Sequence, residues 1–344
     1  MPTVPFLDVA ATARWIADRK PERLIGDVTD ALQRDFARWP ELETRPRLAS
    51  HSPDGVIELM PAADRDTFGF KLVNGHPRNP SRGFQTVTAC GMLVAVDNGY
   101  PVFLAEMTLL TALRTAATAA LAARYLAPTP RTGVHALIGT GCQSEFQALA
   151  MRGECGLSTV AVYDVDPCAM RKFEANATKL GFTVELHDSA ASAVARADVI
   201  TTCTADKRNA TVLFDPEVAG ARYISAIGGD CPGKTELDPA ILARADLVVV
   251  EHEAQARIEG EIQLQSPDFP VTELWRIIRG EAPGRAAGPR GEDELIIFDS
   301  VGFGVEDLSI LMFVRDELAA TGGLEQLDLI ANPADPKNLF SLVQ

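Results

Sequence analysis

The chain has 344 residues, 47% of them hydrophobic, and its 47 acidic side chains outnumber 32 basic ones for a net charge of −15. That charge opposes binding to nucleic acid or anionic lipid, whose phosphates need a basic patch, and the length predicts two domains rather than one. Residues 1–20 carry Asp8, Arg14 and Asp18 and no apolar core, so they do not read as a signal peptide, and no uncharged run approaches the roughly 18 residues of a membrane span. The six cysteines, at positions 90, 142, 155, 168, 203 and 231, form no C-x-x-C pair. A reducing cytoplasm is therefore expected, with no disulfide and no metal site.

In chain order, residues 1–40 read as mostly helical, with amphipathic segments over 11–19 and 23–39. Residues 45–104 change character: short strands are expected at 56–60, 67–73, 86–96 and 101–104, with Asp97-Asn98-Gly99 as a hairpin turn. Residues 75–83 read as a loop. An alanine-rich helix follows at 108–127 and is stopped by Pro128. From residue 134 the rhythm becomes strand–helix, with strands near 134–138, 159–164, 182–186, 198–203, 222–227, 246–250 and 295–299. That alternation predicts a doubly wound, mostly parallel α/β sheet. Residues 279–294 read as a surface loop, and 304–321 as a helix returning to the first domain. The domains expected are 1–130 with 305–344, an α+β unit for substrate binding and dimerisation, and 131–304, a dinucleotide-binding unit. Several strands with too few helices to cover both faces predict a homodimer through the first unit.

The most informative stretch is Val134 to Phe146. A buried strand runs into Gly139-Thr140-Gly141, and a helix is expected from Gln143 to Arg152. Such a turn sets backbone N–H groups and the helix dipole against a pyrophosphate. The third fingerprint position is Ser144, so the pattern is incomplete. Asp164, near the end of the next strand, could accept hydrogen bonds from an adenosine ribose and repel a 2′-phosphate, which favours NAD over NADP. A cap on the helix before Pro167 is the lesser reading of Asp164, Asp166 competes for the ribose role, and Arg171 or Lys172 could soften the discrimination.

Polar residues in apolar surroundings supply the candidate chemistry. Lys71, within Phe68-Gly69-Phe70-Lys71-Leu72-Val73, is either at a sheet edge, snorkelling to water, or facing an anion in a cleft; spacing alone favours the edge. Arg47 and Arg114 each read alone as solvated, and Glu58 as alternation onto a wet face. Asp230, after Ile224 to Gly229, follows the end of a parallel strand, where the ligand crevice of such sheets lies. A capping aspartate in a turn is the other reading. Thr204 and Ser300 occupy comparable strand-end positions.

With Ala49 to Ser52, GVIELMP (55–61), Lys71, VNGHP (73–77), LRTAAT (113–118), QSEFQALA (143–150), GGDCPGKTEL (228–237), RIEGEIQ (257–263) and FDSVGF (298–303), the sequence closely resembles the ornithine cyclodeaminase and mu-crystallin family over about residues 45–344. GGDCPGKTEL and VNGHP point to its cyclodeaminase branch. The resemblance implies a Rossmann domain and a second domain that joins its dimer mate through β-structure. It also implies bound NAD and a diamino-acid substrate, L-ornithine, converted to L-proline and ammonia with a hydride lent to the cofactor and returned. Arg47 and Lys71 match residues that hold the substrate carboxylate, Arg114 one close to both substrate and nicotinamide and so also a cofactor contact, Glu58 one facing the side-chain amine, and Asp230 the acid/base; Val301 lies beside the substrate. Thr86, Cys142, Gln143, Asp164, Thr204, Ser225, Ala226, Ile227, Lys234 and Ser300 match cofactor contacts. Thr140 and Cys142 stand where the family pattern has Asn and Ala. A lysine cyclodeaminase, a ketimine reductase, an amino-acid dehydrogenase and a non-catalytic binder remain as alternatives at this stage.

Overall fold

The computed structural model describes residues 3–205, 211–284, 294–320 and 324–344. The chain begins with strand β1 (Val4–Leu7) and helices α1 (Val9–Arg19) and α2 (Pro21–Ala37). The Asp8 carboxylate caps α1 by accepting from the Ala11 N–H, and Pro21 opens α2, where no N–H is needed. Strands β2 (Glu43–Thr44), β3 (Leu48–Ser52), β4 (Gly55–Ala63), β5 (Thr67–Gly75), β6 (Ala89–Ala95) and β7 (Pro101–Glu106) lead to the long helix α3 (Thr108–Leu126).

These strands form one sheet of eight with a strand from the far end of the chain, β16 (Glu325–Leu327), in the order β16-β1-β7-β6-β5-β4-β2, with β3 also on β4. Strands β4 to β7 are an antiparallel meander with the expected turn at 97–99. Alternation along β4 buries Val56, Glu58, Met60 and Ala62 and leaves Ile57 exposed. The buried face packs on α10 (Gly304–Ala319), which returns to this sheet; Thr321 of the expected helix lies outside the described residues.

The second sheet is parallel throughout. It is built from β8 (Val134–Ile138), α4 (Ser144–Cys155), β9 (Thr159–Tyr163), α5 (Pro167–Lys179), β10 (Thr183–Leu186), α6 (Ala190–Val194), β11 (Val199–Thr202), β12 (Tyr223–Ala226), α7 (Pro239–Arg244), β13 (Leu247–Val250), α8 (Glu253–Glu259), β14 (Thr272–Glu273), α9 (Leu274–Ile278) and β15 (Ile296–Asp299). The strand order is β10-β9-β8-β11-β12-β15-β13-β14, so the winding reverses between β8 and β11. One core packs one face of this sheet and continues through α3 to the first sheet; a second core fills the other face. The buried alanines of α3 let α2 and α4 approach it closely. Among the described residues, no helix is long and apolar enough to cross a membrane.

Several sequence readings need correction. β1, β2, β3 and β16 were not expected as strands. β3 is exposed along its length and β1 carries Pro5, so neither shows the alternation that marks a strand; partners elsewhere in the chain make them. The strand expected over 86–96 begins only at Ala89, because the backbone of 86–88 bonds to Asn74 and His76 outside the ladder. Residues 279–284 form no helix or strand, and 285–293 of that expected loop lie outside the described residues.

Candidate active site

Because the second sheet is parallel, β8, β9, β11, β12 and β15 all end at one edge. Gly139, Gly141, Asp164, Thr204, Ile227 and Ser300 follow these strands and gather there at the winding reversal, the ligand position of such sheets. Gly139 has φ +99, and a Cβ on it would stand 2.8 Å from the Cys203 carbonyl oxygen, so only glycine fits this turn. A Cβ on Gly141 would meet nothing within 4 Å, so its backbone faces open space in front of α4. Cys142 is exposed beside it, and Gln143 is the N-cap residue of α4 but makes no side-chain capping bond. The arrangement can receive a phosphate group on backbone N–H groups.

The structure separates the two aspartates at the end of β9. Asp166 is the cap of α5 and accepts from the Cys168 N–H. Asp164 is therefore not the helix cap. Its Oδ2 accepts from the Thr140 N–H at 2.7 Å and from the Thr140 hydroxyl at 3.1 Å, which ties it to the glycine turn. Lys172 Nζ reaches the same turn, donating to the Gly141 carbonyl at 3.0 Å, and pairs with Glu145.

Further along the edge, Lys234 Nζ donates to the Thr204 carbonyl at 2.6 Å and lies 3.5 Å from Asp230 Oδ1. Ser225 and Ala226 are buried in β12 just beneath. A cavity of about 470 Å³ opens beside Cys231 and Pro232, lined also by His51 to Val56, Pro77 and Arg78. Thr86 sits apart from these groups: its carbonyl accepts from the His76 N–H at 2.8 Å and from Asn74 Nδ2 at 3.3 Å.

The first sheet turns its charged residues inward. Lys71 is only 1% exposed on the central strand β5, so the sheet-edge reading fails. Its Nζ bonds to Asp307 Oδ1 at 2.9 Å. Burial, reinforced by Arg114 and Arg47 and opposed by Asp307, brings this ammonium down to about 8. Arg114 is not solvated either. It is buried on α3, with Nη1 2.7 Å from Glu306 Oε2 and Nε 3.2 Å from Asp307 Oδ1. Gly302, at φ +75, lies so close that a Cβ there would fall 2.6 Å from Arg114 Nη1.

Arg47 is likewise buried, with 5% of its side chain exposed. Its Nη1 faces both oxygens of Glu58, at 3.3 and 3.2 Å. Nη2 donates to the carbonyls of Val301 and Gly302, at 2.7 and 2.6 Å, and Nε lies 3.1 Å from Glu259 Oε2. Both Nη groups of the guanidinium thus donate, whereas Nε, although ion-paired with Glu259, makes no hydrogen bond. Glu58 is buried in this pair rather than on a wet face. Arg47 thereby joins the first sheet to α8 and to the turn after β15.

Sequence reading missed the acids that hold these cations. Glu306 and Asp307 open the buried helix α10. Two carboxylates in the buried first half of a helix need cationic partners, and that was the available signal. Glu251 accepts from the Ser300 hydroxyl and from the Val301 N–H at 2.9 Å. Burial pushes both Glu251 and Glu306 up, Glu306 further because Glu251 faces it, so the two behave as a pair sharing a proton. Glu259 rises to about 7 through burial and the nearby Glu58 and Asp230 charges, against the pull of Arg47.

Known proteins resemble this chain over nearly its whole length. The sequence profile of the ornithine cyclodeaminase/mu-crystallin family matches residues 13–322. An ornithine cyclodeaminase of Agrobacterium fabrum (strain C58) is 48% identical over 340 residues, spanning 99% of this chain and 94% of that one. A lysine cyclodeaminase, solved to explain its recognition of L-lysine, L-ornithine and L-2,4-diaminobutyric acid, has a TM-score of 0.89 at 30% identity over 97% of this chain and 98% of that one. An archaeal alanine dehydrogenase dimer with bound NAD has a TM-score of 0.84 at 28% identity over 96% and 100%. The chain belongs to the ornithine cyclodeaminase/mu-crystallin family.

Proposed function

We propose that this protein is an NAD-dependent, cyclising ammonia-lyase that converts L-ornithine to L-proline and ammonia. The observation that carries the reading is the buried set of Arg47, Lys71 and Arg114 beside Glu58, with Asp230 at the adjoining sheet edge, in a chain 48% identical to an ornithine cyclodeaminase. A diamino acid has one carboxylate and two amines, and this set offers partners of matching charge.

The cofactor fits on the chain's own terms. Open space at Gly141 and the N-terminus of α4 suit the pyrophosphate. Asp164, beside the turn, suits the adenosine ribose and disfavours a 2′-phosphate, so NAD is preferred over NADP. Cys142, Gln143, Thr204, Ser225, Ala226, Ile227, Lys234 and Ser300 would complete the site; Thr86, in the loop before β6 and apart from them, is assigned to it by resemblance alone. NAD, when bound, supplies a hydride acceptor that takes the Cα hydrogen and returns it, and so ends each turnover unchanged.

The chain's residues do the rest. Lys71 and Arg114 receive the substrate carboxylate, with Val301 against its chain. Arg47 and Glu58 are already paired, so the substrate enters by exchange: its carboxylate takes Arg47 and its δ-ammonium takes Glu58. Asp230 accepts a proton from the α-ammonium and so frees the nitrogen lone pair. Glu58 takes a proton from the δ-ammonium, and holding both ends of one molecule keeps the freed δ-amine near Cα, where high effective molarity drives its attack on the imine carbon; the α-nitrogen then leaves as ammonia with the proton that Asp230 returns.

Residues 1–130 with 305–344 form the substrate and dimerisation unit in this reading, and 131–304 the cofactor unit. The sheet face opposite α10 exposes Leu48, Ile57, Phe68 and Leu72, an apolar surface suited to a second copy of the chain. Six free thiols fit a cytoplasmic enzyme. The test is one tube of L-ornithine and NAD⁺ in which ammonia and NADH absorbance are both followed. Ammonia without lasting NADH supports the lyase; NADH in step with ammonia makes it a dehydrogenase; neither product makes it a binder. L-Lysine is run beside it, because one methylene is worth only about 1–3 kcal/mol of discrimination.

A further inference from the structure

Three buried carboxylates of the second sheet have no part in the reaction as described: Asp299, Glu261 and Glu236, from the FDSVGF, RIEGEIQ and GGDCPGKTEL stretches. They are linked in series. Asp299 ends β15, and its two oxygens accept from the N–H groups of Glu261 and Ile262 at 2.9 and 3.1 Å. Glu261 in turn accepts from the N–H groups of Glu236 and Leu237 at 2.8 and 2.9 Å. Glu236 then reaches two loops at once. Its Oε1 accepts from the N–H and hydroxyl of Thr204, the N–H at 2.8 Å, and its Oε2 from the Gly228 N–H at 3.0 Å.

Each carboxylate occupies space that a glycine leaves open. A Cβ on Gly260 would lie 2.5 Å from Asp299 Oδ2, one on Gly229 2.5 Å from Glu261 Oε1, and one on Gly228 2.3 Å from the Glu236 carboxylate. The two glycines before Asp230 are thus the seats of Glu261 and Glu236. Apolar residues would fill this core at less cost than buried acids, so the ladder calls for a role beyond packing. Burial and the two neighbouring acids push Glu261 well above the usual carboxylate range, and burial pushes Asp299 to about 7.

We infer that Glu236, braced by Glu261 and Asp299, is the positioning residue that sets Asp230 and Thr204 relative to each other at the carboxyl edge. Thr204 is gripped on both sides, its N–H by Glu236 and its carbonyl by Lys234. The same Glu236 fixes the backbone two residues before Asp230. The inference rests on Asp230 as the acid/base.

Glu236→Gln keeps the shape but turns one acceptor into a donor. Its remaining oxygen serves the two Thr204 donors, and its amide nitrogen meets the Gly228 N–H and displaces the turn carrying Asp230. Turnover of ornithine should fall by on the order of 10²-fold, the effect of a misplacement near 1 Å, with KM little changed. NAD⁺ binding, measured by calorimetry without substrate, should weaken through Ile227, the cofactor residue that adjoins the displaced Gly228 turn. In an Asp230→Asn background, Glu236→Gln should cost no further turnover, because both changes act through one group. Wild-type turnover and NAD⁺ affinity in Glu236→Gln would overturn the inference, as would losses that multiply in the double variant. If Glu236→Gln does not fold, Gly228→Ala presses on the same carboxylate from the other side and is held to the same outcomes. A wild-type protein that makes no proline would defeat the activity reading instead, and NAD⁺ affinity would still report on the Glu236 grip.

Discussion

On the inner face of the first sheet, buried charge is balanced side chain against side chain: Lys71 with Asp307, Arg114 with Glu306, Arg47 with Glu58 and Glu259. At the carboxyl edge of the second sheet, Glu236, Glu261 and Asp299 sit on backbone N–H groups. The two solutions behave differently when a ligand arrives. A side-chain ion pair can trade partners with a zwitterion that offers the same charges, whereas a carboxylate bound to backbone cannot let go without moving a loop. On the proposed reading, the first region exchanges its pairs with a ligand and the second holds the loops of the carboxyl edge in place.

The largest expected effect lies where the regions meet. Asp230→Asn keeps size and removes the base, so turnover should drop by about 10²–10⁴-fold while calorimetry still finds NAD⁺ bound. A parallel loss of NAD⁺ affinity would place Asp230 with the scaffold instead. Next comes the side-chain pairing. Asp307→Ala strips Lys71 of its partner in the interior, and urea unfolding should show a loss of about 3–5 kcal/mol. Lys71→Met with Asp307→Leu should recover stability without recovering ornithine turnover. Full turnover in that double variant would mean the pair is packing alone.

A smaller effect separates the two glycines of the β8–α4 turn. Gly139→Ala forces a side chain into the left-handed region and against Cys203, and should cost about 1–3 kcal/mol in stability. Gly141→Ala should leave unfolding unchanged and weaken NAD⁺, because its Cβ enters space that is open in the protein alone. The smallest effect is on pH. Lys71 must be charged to hold a carboxylate, and its pKa is lowered to about 8. The protonated form is therefore lost as pH rises through that value, and kcat/KM for ornithine should decline above it. Lys71→Arg should abolish that limb; a limb that persists belongs to another group.

Much of the second sheet was legible in the sequence, because its strands are short apolar runs bounded by Gly, Pro and Asp, and β8 enters a recognisable glycine turn. The first sheet was legible only in its meander. β1 pairs with β16 across nearly the whole chain, and β3 lacks alternation, so no local pattern marks them. The site shows the same limit. Spacing placed Lys71 at an edge and the two arginines in water because their partners lie far along the chain: Asp307 is 236 positions from Lys71, and Glu306 is 192 from Arg114. Resemblance brought these residues forward; local physics did not. At Asp164 and Asp166, the choice that sequence left open depended on which carboxylate met the Cys168 N–H.

The most direct test of the central claim follows the hydrogen on Cα. Ornithine deuterated at Cα, incubated with the protein and NAD⁺, should yield proline that keeps deuterium at Cα, with ammonia released and no lasting NADH absorbance. Proline without the label, or NADH accumulating in step with ammonia, would contradict a borrowed and returned hydride.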